Sequence, residues 1–183
     1  MRFLFLAAAA LAVGCGNNGS IHVTLTDDPA VGSVKQLLIT VNEVRVHDDG
    51  DPSITSSGDA GAQADGATGK EWVVLCSNEQ TFDLLQLTGG RTLGLCGGQA
   101  ETVPAGHVSQ LRLGVKSAQL ITDTGAQDLT VPSGPQSGLK IQIDRDVPKD
   151  QTLEVKLDFD ANASLVQQGN GGWSLKPVLR ALP

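Results

Sequence analysis

Apolar and polar residues alternate along most of this chain. Ile21, Val23 and Leu25 are interleaved with His22, Thr24 and Thr26, the period-two signature of a strand with one buried face. Asp27-Asp28-Pro29 closes that strand as a turn. Leu37, Ile39 and Val41 form a second alternating set, which Val44 and Val46 continue with the opposite parity. One extra residue at Asn42-Glu43 accounts for the change, so the pattern predicts a β-bulge there. Strand patterns recur at Trp72–Cys76, Leu111–Val115, Ala118–Thr122, Asp128–Val131, Leu139–Ile143 and Leu153–Phe159. Thr81–Leu87 fits a strand or a short helical turn, and Thr92–Cys96 fits a short strand. Trp173–Leu179 is expected as the last strand, with Pro177 placing it at a sheet edge or a bulge. Gly89-Gly90, Val103-Pro104-Ala105-Gly106, Asp123-Thr124-Gly125-Ala126 and Gly169–Gly172 are turn signals between these segments. Beyond the first twenty residues no stretch sustains a helical period. The pattern predicts an all-β fold, a single-domain antiparallel β-sandwich of immunoglobulin-like or transthyretin-like type.

Two segments break the alternation. Phe3 to Val13 is an uninterrupted apolar run behind Arg2, ending in Gly14-Cys15. As a helix it would reach only about 16 Å against a bilayer core of roughly 30 Å. Residues 1–14 therefore fit a signal peptide rather than a span. Leu11-Ala12-Val13-Gly14-Cys15 resembles a bacterial lipobox, in which a small residue precedes the acylated Cys; Ala12 departs from the Leu usual at its position. The expectation is a lipid anchor on Cys15, with palmitate among its acyl chains, holding the protein to the bilayer. Residues 15–20 would be a short tether of at most about 17 Å after the Cys, ahead of a sandwich domain over 21–183. Gly16 is not the Asp that retains lipoproteins at an inner membrane, so an outer-membrane location in a Gram-negative envelope is expected.

The second break is residues 48–69, with five Asp, no Lys or Arg, and Ile54 as its one large apolar residue. Such a segment buries too little to offset its ordering entropy. It is expected to be a disordered acidic loop inserted into the sandwich.

Composition sharpens these expectations. The formal charge of the 183 residues is −7. Loss of Arg2 with the leader leaves 12 basic against 20 acidic residues, or −8, and the acidic insertion accounts for −5 of that. The acidity thus belongs mainly to one loop; it argues against a nucleic-acid partner, which needs clustered Lys and Arg, and says little else about what the protein binds. Phe3 and Phe5 leave with the leader, so Trp72, Phe82, Phe159 and Trp173 are the remaining aromatic residues. They are expected in the core rather than on a sugar-stacking platform. Cys76 and Cys96 remain after Cys15 is lipidated. In an oxidising compartment they are expected to form a disulfide, worth roughly 3 kcal/mol for a loop of about twenty residues.

Several segments, taken in order, resemble one bacterial lipoprotein family catalogued as domain of unknown function 4382. They are Ile21–Pro29, Ile39–His47, Phe82–Leu87, Val103–Gly106, Gln110–Leu113, Pro132–Gly134 with Gly138–Lys140, Leu157–Asp160, and Leu175–Arg180. The resemblance implies a β-sandwich lipoprotein of the cell envelope. It implies no reaction and no catalytic residue. Val108 and Trp173 stand where Tyr is common in the family.

Candidate chemistry is sparse. Asp158-Phe159-Asp160-Ala161-Asn162-Ala163-Ser164 imitates the start of a calcium loop, but Ala163 stands where Gly is needed and Gly169 where Glu is needed. Asp27, Asp158 and Asp160 would form a cation site if the first and penultimate strands are neighbours. The competing expectation is a polar strand face and a turn cap. His47-Asp48-Asp49-Gly50-Asp51 opens the acidic loop, and His22 and His107 are isolated in sequence. No Gly-x-Ser-x-Gly elbow and no phosphate loop occurs. Lys176 and Arg180 share a parity and, with Arg112, could form a basic stripe. The leading functional expectation is a non-enzymatic envelope lipoprotein with no cofactor, binding an envelope protein or polysaccharide or serving structurally. The alternatives are a calcium-dependent adhesion or carbohydrate-binding module, and a hydrolase without a recognisable motif.

Overall fold

The computed structural model describes residues 16–27, 34–49, 71–131, 138–169 and 172–183. The leader, Cys15, and all of the acidic insertion except Asp48 and Asp49 lie outside the described residues.

The described chain is a β-sandwich, as its alternation predicts. One sheet is built on β1 (Asn18–Thr26), which pairs with β10 (Thr152–Phe159) on one side. On its other side β1 pairs with β5 (Leu93–Gly94) and β6 (Glu101–Pro104). β13 (Leu179–Ala181) extends the sheet beyond β10. The second sheet is built on two long strands, β2 (Val34–Asp48) and β7 (Gly106–Thr122). β3 (Glu71–Cys76) and β4 (Gln80–Asp83) flank β2, while β8 (Gly125–Leu129) and β9 (Leu139–Val147) flank β7. A small hairpin joins β11 (Leu165–Gln167) to β12 (Trp173–Leu175).

Inward positions of both sheets make one core. Ile21, Val23, Leu25, Leu157 and Phe159 come from the first sheet and Leu37, Ile39, Leu111 and Leu113 from the second, all at most 2% exposed. Each such side chain contributes about 1.5–3 kcal/mol by leaving water.

The predicted bulge is present: Val41 pairs with Val115 and Glu43 with Gly114, leaving Asn42 unmatched. β7 carries two bulges of its own, at Lys116 and Ser109. The Lys116 bulge resets the parity between Val115 and Ala118, so a single strand runs where the sequence suggests two.

Three expectations are corrected. β1 and β10 run parallel, with Ser20 opposite Thr152 and Thr26 opposite Asp158, so among the described residues the sandwich is antiparallel except at this pair. Trp173–Leu179 is not one strand. The chain leaves β12 at Leu175, passes Pro177, and re-enters the other sheet at Leu179, because Pro177 supplies no ladder donor. The first strand also starts at Asn18 rather than Ile21, so part of the expected tether is already sheet.

Cys76 and Cys96 form the expected disulfide. It joins the end of β3 in the second sheet to the 3-10 turn Cys96–Gly98, which follows β5 of the first. The corner is tight: a Cβ on Gly94 would sit 2.5 Å from the Gly98 Cα.

Candidate functional site

The outward residues of the second sheet form two rows across its strands. In one row Val74 of β3, Arg45 of β2, Arg112 of β7 and Lys140 of β9 stand directly opposite one another. In the next row are Trp72, His47, Gln110 and Gln142. Strand alternation puts them on the solvent side, since Val44, Val46, Leu111 and Ile141 between them point into the core.

The bulge at Ser109 adds a hydroxyl to this face. Its Oγ lies 3.4 Å from Nδ1 of His47, and the same nitrogen is 3.2 Å from Oδ1 of Asp49. The His47 ring meets Trp72 edge-on at 4.9 Å. The guanidinium carbon of Arg112 sits 4.0 Å over the Trp72 ring, a cation–π contact. His47, Trp72, Ser109, Gln110, Arg112 and Gln142 line a groove of about 350 Å³. Arg45 is ion-paired to Glu43. Nε of Arg112 is buried and donates no hydrogen bond.

A second cleft, of about 430 Å³, opens where the parallel pair ends, between Thr26, Asp27, Asp158 and Arg180. Both carboxylates are buried, Asp27 at 5% and Asp158 at 3% exposure. Oδ1 of Asp27 accepts the Ala161 amide at 2.9 Å. Oδ2 of Asp158 accepts Nε of Arg180 at 2.9 Å and lies 2.7 Å from its Nη2. Thr26 donates its hydroxyl to the Arg91 carbonyl at 2.9 Å.

The family model described as Domain of unknown function (DUF4382) matches residues 18–177. This chain belongs to that family. The match runs from the start of β1 to Pro177 and so takes in both sheets and the whole outer groove of the DUF4382 domain. It stops short of Arg180 and β13. No curated protein matches the chain.

Within the DUF4382 domain the three candidate cation residues come only partly together. Asp27 and Asp158 share the cleft, because β1 and β10 are indeed neighbours. Asp160 turns away: it caps the one-turn helix α1 (Ala161–Ser164), accepting the Ala163 amide at 2.8 Å. Among the described residues no group of three His, Cys, Asp or Glu is placed to hold a metal ion.

The histidines are not isolated in space. Nδ1 of His22 meets Glu154 across the parallel pair at 2.7 Å. His107 faces two carboxylates, Nδ1 to Asp146 at 2.8 Å and Nε2 to Asp144 at 3.0 Å. Hydrogen bonds first to Asp146 and then to Asp144 raise its pKa above the ordinary 6.5. His47 brings Ser109 and Asp49 to one nitrogen, whereas a nucleophile–base–carboxylate relay needs them on opposite nitrogens.

The expected basic stripe does not form. Lys176 lies between strands, Arg180 bonds Asp158 in the first sheet, and Arg112 stands on the second. Trp72 is not in the core either. Trp72–Cys76 is a continuous apolar run whose parity cannot be read locally, and only pairing with β2 turns Trp72 outward.

Proposed function

We propose that this DUF4382 domain is a non-enzymatic binding module of the bacterial cell envelope. Acylated Cys15 holds it to the bilayer, at the outer membrane of a Gram-negative cell. Its binding surface is the outer face of the second sheet. The observation that carries the reading is the groove itself, where Trp72, Arg112, His47 and two glutamines from four strands gather on one solvent face. Outward positions of a sandwich need only be soluble. An aromatic ring set there under a guanidinium suits recognition of a polar envelope component.

A full-length lipoprotein in detergent should retain material from solubilised envelope, and Trp72→Ala with Gln110→Ala should abolish that retention while leaving the fold intact. Equal retention by wild type and the double variant, or none by wild type, would overturn the reading. The hydrolase reading draws on the contact of Ser109, His47 and Asp49. It requires Ser109→Ala to abolish ester cleavage on a substrate panel.

A further inference from the structure

We propose that the outer groove binds an acidic polysaccharide, with Arg112 and Lys140 taking its carboxylate or sulfate groups. This rests on the binding reading above and names its ligand class.

Like charges directly opposite on neighbouring strands are destabilising. Yet Arg45, Arg112 and Lys140 occupy one cross-strand row, on a protein whose formal charge is −7. Glu43 neutralises Arg45. Among the described residues neither Arg112 nor Lys140 has an ion-pair partner. An anion lying across β7 and β9 would relieve that repulsion.

The second observation is how Arg112 is held. Stacking on Trp72 fixes the guanidinium plane through the ring's quadrupole and consumes none of its N–H donors. Its buried Nε is without a hydrogen-bond partner. The buried Nε is out of a ligand's reach, so the two terminal Nη groups are the donors left for an oxyanion, which can accept two parallel hydrogen bonds from them.

The third observation concerns the rest of the ligand. Gln110 and Gln142 stand side by side in the adjacent row and offer amide donors and acceptors suited to hydroxyls. The strands are about 4.8 Å apart, so Arg112 and Lys140 rise from neighbouring backbones separated by about the length of one sugar ring. Arg112 covers a face of Trp72, so recognition runs through charge and amides rather than ring stacking. Neutral glycans would meet the amides but leave Arg112 and Lys140 without a counter-charge, so they are expected to bind more weakly.

The test uses the full-length lipoprotein in detergent, titrated calorimetrically with polygalacturonate, a sulfated glycan, neutral dextran, poly-glutamate, single-stranded DNA and anionic-lipid vesicles. Binding is expected for the first two alone, weakening as salt is raised. Arg112→Gln and Lys140→Gln should each weaken it about tenfold or more, and Arg112→Lys should recover only part of the loss. Lys140 is exposed, so its variant folds. Lys35→Gln, at the far end of β2, should bind as wild type. The inference fails if dextran binds equally, if Lys140→Gln leaves the affinity unchanged, or if poly-glutamate, DNA or vesicles bind as tightly as the acidic glycans. It also fails if no glycan binds. Envelope retention lost on Trp72→Ala would still separate a wrong ligand class from a wrong site.

Discussion

Asp83 shows how much one side chain can organise. Its Oδ1 accepts the Leu85 amide at 3.2 Å, capping the 3-10 turn Leu84–Leu87, and also the Leu37 amide of β2 at 3.1 Å. Asp83→Ala should lower stability by about 1–2 kcal/mol, read from denaturant unfolding, since a cap and a charge-assisted bond go together. His107 predicts a pH effect. Its pKa is raised by Asp146 and Asp144 in the folded state, so its contribution is complete below the unfolded value near 6.5 and lost as pH rises through the folded one. Wild type should lose a small increment of Tm as pH rises above 6.5 that His107→Gln does not lose. The increment is small because both carboxylates are about four-fifths exposed. Asp158 is engaged by Arg180 and Asp160 by a helix cap. Millimolar calcium should therefore leave Tm unchanged, and a rise in Tm that a chelator reverses would contradict this.

At the scale of elements, alternation made the strands legible and the bulge at Asn42 with them, because a parity change leaves a mark in the sequence itself. The 17-residue β7 was not legible as one strand: a bulge at Lys116 and a turn produce the same skip in parity. The outer groove was legible only in halves. Arg112 reads as an outward residue between Leu111 and Leu113, but Trp72 stands in an apolar run, and forty positions separate the two. Their contact depends on β2 lying between β3 and β7, which no local pattern encodes. The Cys76–Cys96 bond acts at this scale too, tying one sheet to the other across a separation of 20 residues. Replacing both Cys with Ala should cost about 3 kcal/mol, seen as a fall in Tm of roughly 6–12 °C for a domain of this size. Gly94→Ala should also destabilise, since the Gly98 backbone would have to move.

At the scale of the molecule, the sandwich class follows from many short alternating segments, whereas its closure does not. β1 and β10 lie about 130 residues apart in sequence and pair in parallel, a match made by their inward Val and Leu side chains rather than by any turn. That pairing joins the first strand of the DUF4382 domain to a strand late in the chain, and β1 itself begins at Asn18, three residues after Cys15. A domain anchored there should sit close to the bilayer. Cys15→Ser should move it from the membrane fraction to the soluble one, and unchanged membrane association would dismiss the anchor. The central claim is that the outer face of the second sheet is the surface this protein uses. Amide chemical-shift mapping of the detergent-solubilised protein with acidic envelope polysaccharide tests it most directly. The account predicts shifts gathered on β2, β3, β7 and β9 around His47, Trp72, Arg112 and Lys140; shifts confined to the Asp27–Asp158 cleft, or no shifts at all, would contradict it.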